Sequence, residues 1–280
     1  MSPPALFDDY SENTLVEQPA IALFAALRWQ TANLYLETFG PQGTEGRESE
    51  HQVILPRRLK QALKKLNATL PDEALTQAFD DLTRDRSTLT PVAANRELYR
   101  LLKDGVKVSL PDAEGNPTAE TVKVMDWNHP QANDFLLASQ VWVAGDMYRR
   151  RCDLVGFVNG LPLLFAELKA THKNLKTAYD ENLRDYRYAI PQLFAPNALI
   201  LLSNGSHTKI GSLSAEWEHC FEWKRINDEG EHGVVSLETA IRGLCDPARF
   251  LDLVENFTLF EEARGGLIKK VAKNHQYLGV

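Results

Sequence analysis

The sequence predicts an α+β, or mixed α/β, fold, and three observations carry that prediction. Apolar residues recur at helical spacing through the first hundred residues. From Val106 the pattern changes to strand-like alternation. Asn159-Gly160 then separates two apolar segments, the strongest short-range hairpin signal a sequence carries.

Taken in order, residues 11–33 read as one helix, capped by Ser11 or Asn13, with Leu15, Ile21, Ala22, Ala25 and Leu27 as its stripe. Residues 40–46 (GPQGTEG) form a loop. Helices are predicted over 59–67, over 71–83 behind Pro71, and over 91–104, where Gly105 stops the chain. Residues 106–110 and 121–127 alternate like half-buried strands around the polar turn DAEGNPTAE. Residues 133–144 form an apolar strand, and 152–158 and 162–169 are the arms of the Asn-Gly hairpin. A helix over 175–189 stops before Pro191; 198–203 is a buried strand, Asn204-Gly205 a turn and 209–213 a return. Helices close the list at 237–244 and 247–257.

Composition narrows the function. The chain has 280 residues, 44% hydrophobic and 25% charged, enough to bury a core. No run of about 18 apolar residues suits a membrane span, and the first residues lack the basic and apolar regions of a signal peptide. Cys152, Cys220 and Cys245 are odd in number and form no C-x-x-C pair, which argues against a disulfide scaffold or zinc ribbon and for a cytoplasmic protein. The histidines, His129 and His275 among them, show no ligand spacing. A net charge of −7 disfavours a protein that coats nucleic acid non-specifically. Residues 149–188, however, carry eight basic and five acidic side chains, +3 against −10 for the rest. That imbalance suits a confined polyanion site as well as a solvated mixed-charge surface.

Asp153, Glu167 and Lys169 carry the chemistry. Glu167 and Lys169 are two apart on one strand and share a face, flanked by Phe165, Ala166 and Leu168. A charged pair within an apolar strand is costly unless something compensates it. Asp153 can join them only if the hairpin has the right parity. A regular two-residue turn opposes Asp153 to Ala166 and turns Glu167 away. A three-residue loop with Gly160 at positive φ, or a bulge supplying one extra residue, brings Asp153 to the face of Glu167. Two carboxylates so placed hold a hard cation such as Mg²⁺, and Lys169 orients the nucleophile or neutralises the transition state.

Asp153…Glu167-Leu168-Lys169 resembles the PD-(D/E)xK nuclease motif, with Arg-Cys standing where the motif has proline. The stretches MDWNHPQANDFLLASQVW, RCDLVGFVNGLPLLFAELKA and ALILLSNG resemble the R subunit of type I restriction enzymes, over roughly residues 11–280. The resemblance implies a restriction-endonuclease-like core, a central mixed sheet flanked by helices with N-terminal helical additions. It implies a Mg²⁺-dependent DNA endonuclease acting on double-stranded DNA with methyltransferase and specificity subunits. Asp153, Glu167 and Lys169 become the catalytic set, with Asp153 and Glu167, and Glu17 as an additional acid, for the metal. Asn182 and Tyr186 match the family's Q-x-x-x-Y element with asparagine in place of glutamine; with Lys173 they are expected to contact or support DNA.

No G-x-x-x-x-G-K-[ST] occurs, and Gly265-Gly266 is too short to be a P-loop. Residues 273–280 resemble the glutamine-bearing segment ahead of the family's first ATPase motif. The expected organisation is therefore a nuclease domain over 1–260, with its core at about 105–225. A linker and the start of a translocase follow over 261–280, so that ATP serves only the full-length subunit. A repair or resolvase nuclease of the same fold, or a non-cutting docking module for the methyltransferase, are the alternatives.

Overall fold

The computed structural model describes residues 13–111 and 114–280. A π-helical turn, Asn13–Glu17, leads into α1 (Gln18–Ala26), and β1 (Gln30–Asn33) follows directly. The single helix expected over 11–33 is thus corrected to a helix and a strand. Arg28 adopts a left-handed φ of 69°, and the amides of Leu27, Arg28 and Trp29 fold back onto the carbonyls of Leu23, Ala25 and Phe24. This closes the helix and frees the chain to extend. Ser11, read as a cap, lies outside the described residues.

Three helices follow, α2 (Pro56–Leu66), α3 (Asp72–Thr83) and α4 (Pro91–Asp104). Each has proline at its first turn or just before it; Thr90 caps α4 by accepting from the Ala93 amide, and Gly105, at φ 79°, ends it. The hairpin β2 (Val106–Pro111) with β3 (Pro117–Val122) is antiparallel. It ends at Val122, short of the strand expected up to Trp127.

The centre of the molecule is a six-stranded mixed sheet in the order β1-β4-β5-β6-β7-β8. Its strands are β4 (Phe135–Ala144), β5 (Arg149–Val158), β6 (Leu161–Leu168), β7 (Leu199–Ser203) and β8 (Thr208–Gly211), with β1 at one edge. β1 runs parallel to β4 and β6 parallel to β7; the other neighbours are antiparallel. The expected central mixed sheet flanked by helices is present.

Both faces of the sheet are covered, as its near-continuous apolar strands require. Leu137, Leu154, Ala166, Leu168 and Leu201 belong to one core with Ala20 and Phe24 of α1, Trp29, and α7 (Ser236–Leu244) and α8 (Pro247–Asn256). Leu136, Val155, Phe165, Ile200 and Leu202 belong to the other. There they join the segment built from α5 (Leu175–Thr177), a π-helical turn (Ala178–Leu183) and α6 (Arg184–Ala189). The chain closes with an antiparallel hairpin, β9 (Thr258–Ala263) and β10 (Gly266–Val271), and α9 (Asn274–Tyr277). This hairpin spans residue 260 and buries Lys269, which is 3% exposed. No helix among the described residues is long and apolar enough to cross a membrane.

Candidate active site

The β5–β6 hairpin sets the site. Its turn is the two-residue kind, Val158 opposite Leu161, with Asn159 and Gly160 at φ 51° and 79°, a left-handed pair that fits Asn-Gly. The register then shifts between Gly156 and Phe157, so that Gly156 faces Leu164 and Leu154 faces Ala166. Of the two arrangements that allow a shared site, the bulge is the one present. Continued by one step, this register brings Asp153 opposite Glu167.

The turn is clamped from outside. The Leu55 amide donates to the Gly160 carbonyl at 2.8 Å. A Cβ on Gly160 would sit 2.6 Å from the Leu55 carbonyl oxygen and 2.7 Å from the Leu59 amide nitrogen. Asn159 is fully buried; its Nδ2 donates to the Val124 carbonyl and Asn133 Oδ1, both at 2.8 Å, and its Oδ1 accepts from the Asp134 amide.

At the other end of the hairpin, Asp153 Oδ2 accepts from the Leu168 amide at 2.8 Å. Glu167 is 1% exposed. Lys169 Nζ donates to its Oε1 at 2.6 Å, while its Oε2 is buried without a hydrogen-bond partner. Burial, then the charge of Asp153, push the Glu167 carboxyl up to about 8 against the pull of Lys169. The Lys169 amide donates to the Ser203 carbonyl at 2.8 Å, tying the end of β6 to β7. A buried carboxylate with one bare oxygen beside a second carboxylate is short of positive charge, and a divalent cation answers that need. Asp153, Glu167 and Lys169 are therefore brought together.

The strand beside them is distorted. Gln140 has φ 56° within β4, at the point where the β4–β5 ladder would pair it with Asp153. Around it the inward sets of both strands switch: Ala138 and Val141, and likewise Cys152 and Val155, belong to the same core although three residues apart. A non-glycine residue held at positive φ marks strain retained where structure overdetermines it. Gln140 Nε2 donates to Glu17 Oε2 at 2.8 Å, and Glu17 is buried. The chain thus links Glu17 to the strand position facing Asp153, but among the described residues no three His, Cys, Asp or Glu side chains form a metal-sized group. Sequence reasoning missed Gln140, because a lone polar residue in LLASQVWVA carries no sign of a left-handed φ.

The helix over 175–189 is interrupted by the Ala178–Leu183 π-turn, a feature common at functional sites. Asn182 lies in that turn and Tyr186 in α6, so the uniform i, i+4 spacing of an α-helix does not describe them. Tyr186 is buried, donates to the Arg151 carbonyl at 2.9 Å and packs its ring 5.2 Å from that of Phe165. Burial and the charge of Glu167 raise its phenol above the ordinary range. Half-buried Asn182 makes no side-chain hydrogen bond among the described residues. Lys173 is exposed; its carbonyl accepts from Asn204 Nδ2 at 2.8 Å. Much of the basic excess is engaged: Arg150 with Asp185, Lys176 with Asp180, and Arg149 3.6 Å from Glu50.

The sequence matches known proteins. Residues 9–219 match the family described as type I restriction enzyme R protein N terminus. The chain is 33% identical over 238 residues, 81% of its length, to the type I restriction enzyme HindI endonuclease subunit of Haemophilus influenzae, of which it covers 22%. To the SsaAORF53P endonuclease subunit of Staphylococcus saprophyticus it is 25% identical over 169 residues, 59% of this chain and 17% of that one. The fold is that of a mixed α/β domain with paired acids at its sheet, and the chain belongs to the family of type I restriction enzyme R-protein N-terminal domains. It spans about a fifth of the length of such relatives.

Proposed function

We propose that this domain is the DNA endonuclease of a type I restriction-modification R subunit. The observation that carries the reading is the bulge in β6, which sets Asp153 against Glu167 and leaves Glu167 Oε2 bare in a buried setting. Asp153 and Glu167 would hold Mg²⁺, which supplies charge neutralisation and polarisation of the phosphodiester. Lys169, already hydrogen-bonded to Glu167, orients the attacking group and counters charge building on the phosphoryl oxygens. Tyr186 fixes the β5 backbone one turn of the ladder from Asp153, and Asn182 and Lys173 lie where they can meet the DNA backbone. Glu17, held by Gln140, would be an additional acid for the metal.

In the complete subunit, residues 261–280 would lead into an ATP-driven translocase, and the domain over 1–260 would act in the cytoplasm with methyltransferase and specificity subunits. Membership of the R-protein family favours restriction over repair or resolution. In the assembled enzyme, Asp153→Ala or Glu167→Ala should lower plasmid cleavage by about 100- to 1000-fold or more, the scale of lost transition-state stabilisation, while ATP hydrolysis is unchanged. Full cleavage by either variant sinks the assignment.

A further inference from the structure

Beside the acids, β4 and β5 carry an arrangement that the chemistry above does not use. Trp142 stands opposite Arg151 in the β4–β5 ladder. The Arg149 guanidinium lies 3.9 Å from the Trp142 ring centroid, and that of Arg151 lies 5.7 Å from both Trp142 and Tyr35. Tyr35 and Trp142 are themselves in ring contact at 6.4 Å. Arg149 and Arg151 are exposed. Arg149 forms an ion pair with Glu50 at 3.6 Å. The Arg151 guanidinium has neither an ion pair nor a hydrogen bond among the described residues. Arg151 precedes Asp153 by two residues and Arg149 by four, about 7 and 13 Å along the strand; the switch of face at Asp153 leaves both arginines and Trp142 on the side of the sheet away from Val141, Val143 and Cys152.

A guanidinium laid on an aromatic ring is held flat with its N–H edge outward, ordered before any ligand arrives. Here the ring faces are taken by arginines, so they do not offer the open platforms on which unstacked bases lie. What remains exposed is a short row of positive, oriented donors, of which Arg149 is paired with Glu50 and Arg151 has no acceptor among the described residues. Such a row reads oxygen-rich anions, and phosphate contacts of this kind position a duplex without reading its sequence.

We propose that Arg149 and Arg151, splinted by Trp142 and Tyr35, form a phosphate track that holds the backbone of duplex DNA along the face of β4 and β5 opposite Glu167, as the duplex passes the end of the sheet that carries the acids. The choice of DNA as occupant rests on the nuclease reading; the track's own test does not require cutting. The exposed Tyr148, Tyr188 and Met147 nearby make a protein neighbour the competing occupant.

The test measures binding of this chain to a labelled mixed-sequence duplex by fluorescence anisotropy, in Ca²⁺ and over a range of salt. Arg151→Ala should weaken binding about tenfold and lower the salt slope by about one counterion. Arg151→Lys should keep the slope but lose affinity, because the charge remains and the flat stack does not. Trp142→Ala should weaken duplex binding with little change of slope. Lys64→Ala, which removes an exposed charge from α2, should change neither quantity. Unchanged affinity and slope in Arg151→Ala, equal losses in Arg151→Ala and Lys64→Ala, or no duplex binding by the unmutated chain would each overturn the track. The first of these results assigns the patch to a protein neighbour. If binding depends on Arg151 while Mg²⁺ elicits no Asp153-dependent cleavage in the assembled enzyme, the track stands and the nuclease reading falls.

Discussion

The two ends of the β5–β6 hairpin are built to opposite specifications. At the turn, Asn159 and Gly160 are buried against Leu55, Val124, Asn133 and Asp134, and the polar atoms of the Asn159 side chain are engaged. At the other end, some six residues along the same strands, Glu167 keeps a buried oxygen bare, and its carboxyl is pushed up by burial and Asp153. The bulge between Gly156 and Phe157 connects the two. It lets a regular left-handed turn and a shared acid site coexist on one pair of strands. Stability is concentrated where no chemistry is needed, and electrostatic strain is tolerated where a cation can relieve it.

The largest effect expected from breaking that contrast lies at the turn. Gly160→Val places a β-branched side chain at positive φ and drives its Cβ into the backbone of α2. The cost should be about 3 kcal/mol or more in chemical denaturation, the sum of backbone strain and overpacking. A loss below about 1 kcal/mol would show that the turn is not clamped. The opposite end predicts a different sign. Glu167→Gln replaces a carboxyl whose ionised form burial and Asp153 already disfavour, and should leave stability within about 1 kcal/mol or raise it.

A second buried charge sharpens the comparison. Lys269 Nζ donates to the Asn197 carbonyl at 2.7 Å, and burial lowers its amine to about 7. Glu167 faces an ammonium and a carboxylate; Lys269 faces the Asn197 carbonyl and the Phe260 ring with no acid to hold its proton, which burial makes easier to lose. Unfolding returns that proton uptake, so Lys269 makes stability rise with pH between about 7 and 10.5. Below that window its cost is fully present. Lys269→Met should therefore stabilise the chain at pH 7 by roughly 1–3 kcal/mol, and the advantage should shrink as pH approaches 10, by up to about 1.4 kcal/mol per unit. A benefit independent of pH would mean that Lys269 stays charged in the folded protein.

Much of this was legible in the residues. Asn159-Gly160, the apolar arms and the spacing of Asp153, Glu167 and Lys169 announced both the hairpin and the condition for a shared face. The position of the bulge was not legible, because Gly156 against Leu164 and Trp29 is a packing matter that no local pattern encodes. β1 was hidden because QTAN is short and follows a helix, and only its parallel pairing with β4 makes it a strand. The β9–β10 hairpin was signalled by Gly265-Gly266 between two alternating segments, a sign obscured by reading those glycines only against a phosphate loop. The π-turn at Ala178–Leu183 leaves no trace in composition, since its residues suit an ordinary helix equally well.

The central claim, that Asp153 and Glu167 form one divalent-cation site, is tested most directly by calorimetric titration of Mn²⁺ into this chain and into its Glu167→Gln and Asp153→Asn variants. The account predicts a saturable site in the unmutated chain and at least tenfold weaker binding in each variant, with both variants folded. Equal Mn²⁺ affinity in all three proteins would contradict it.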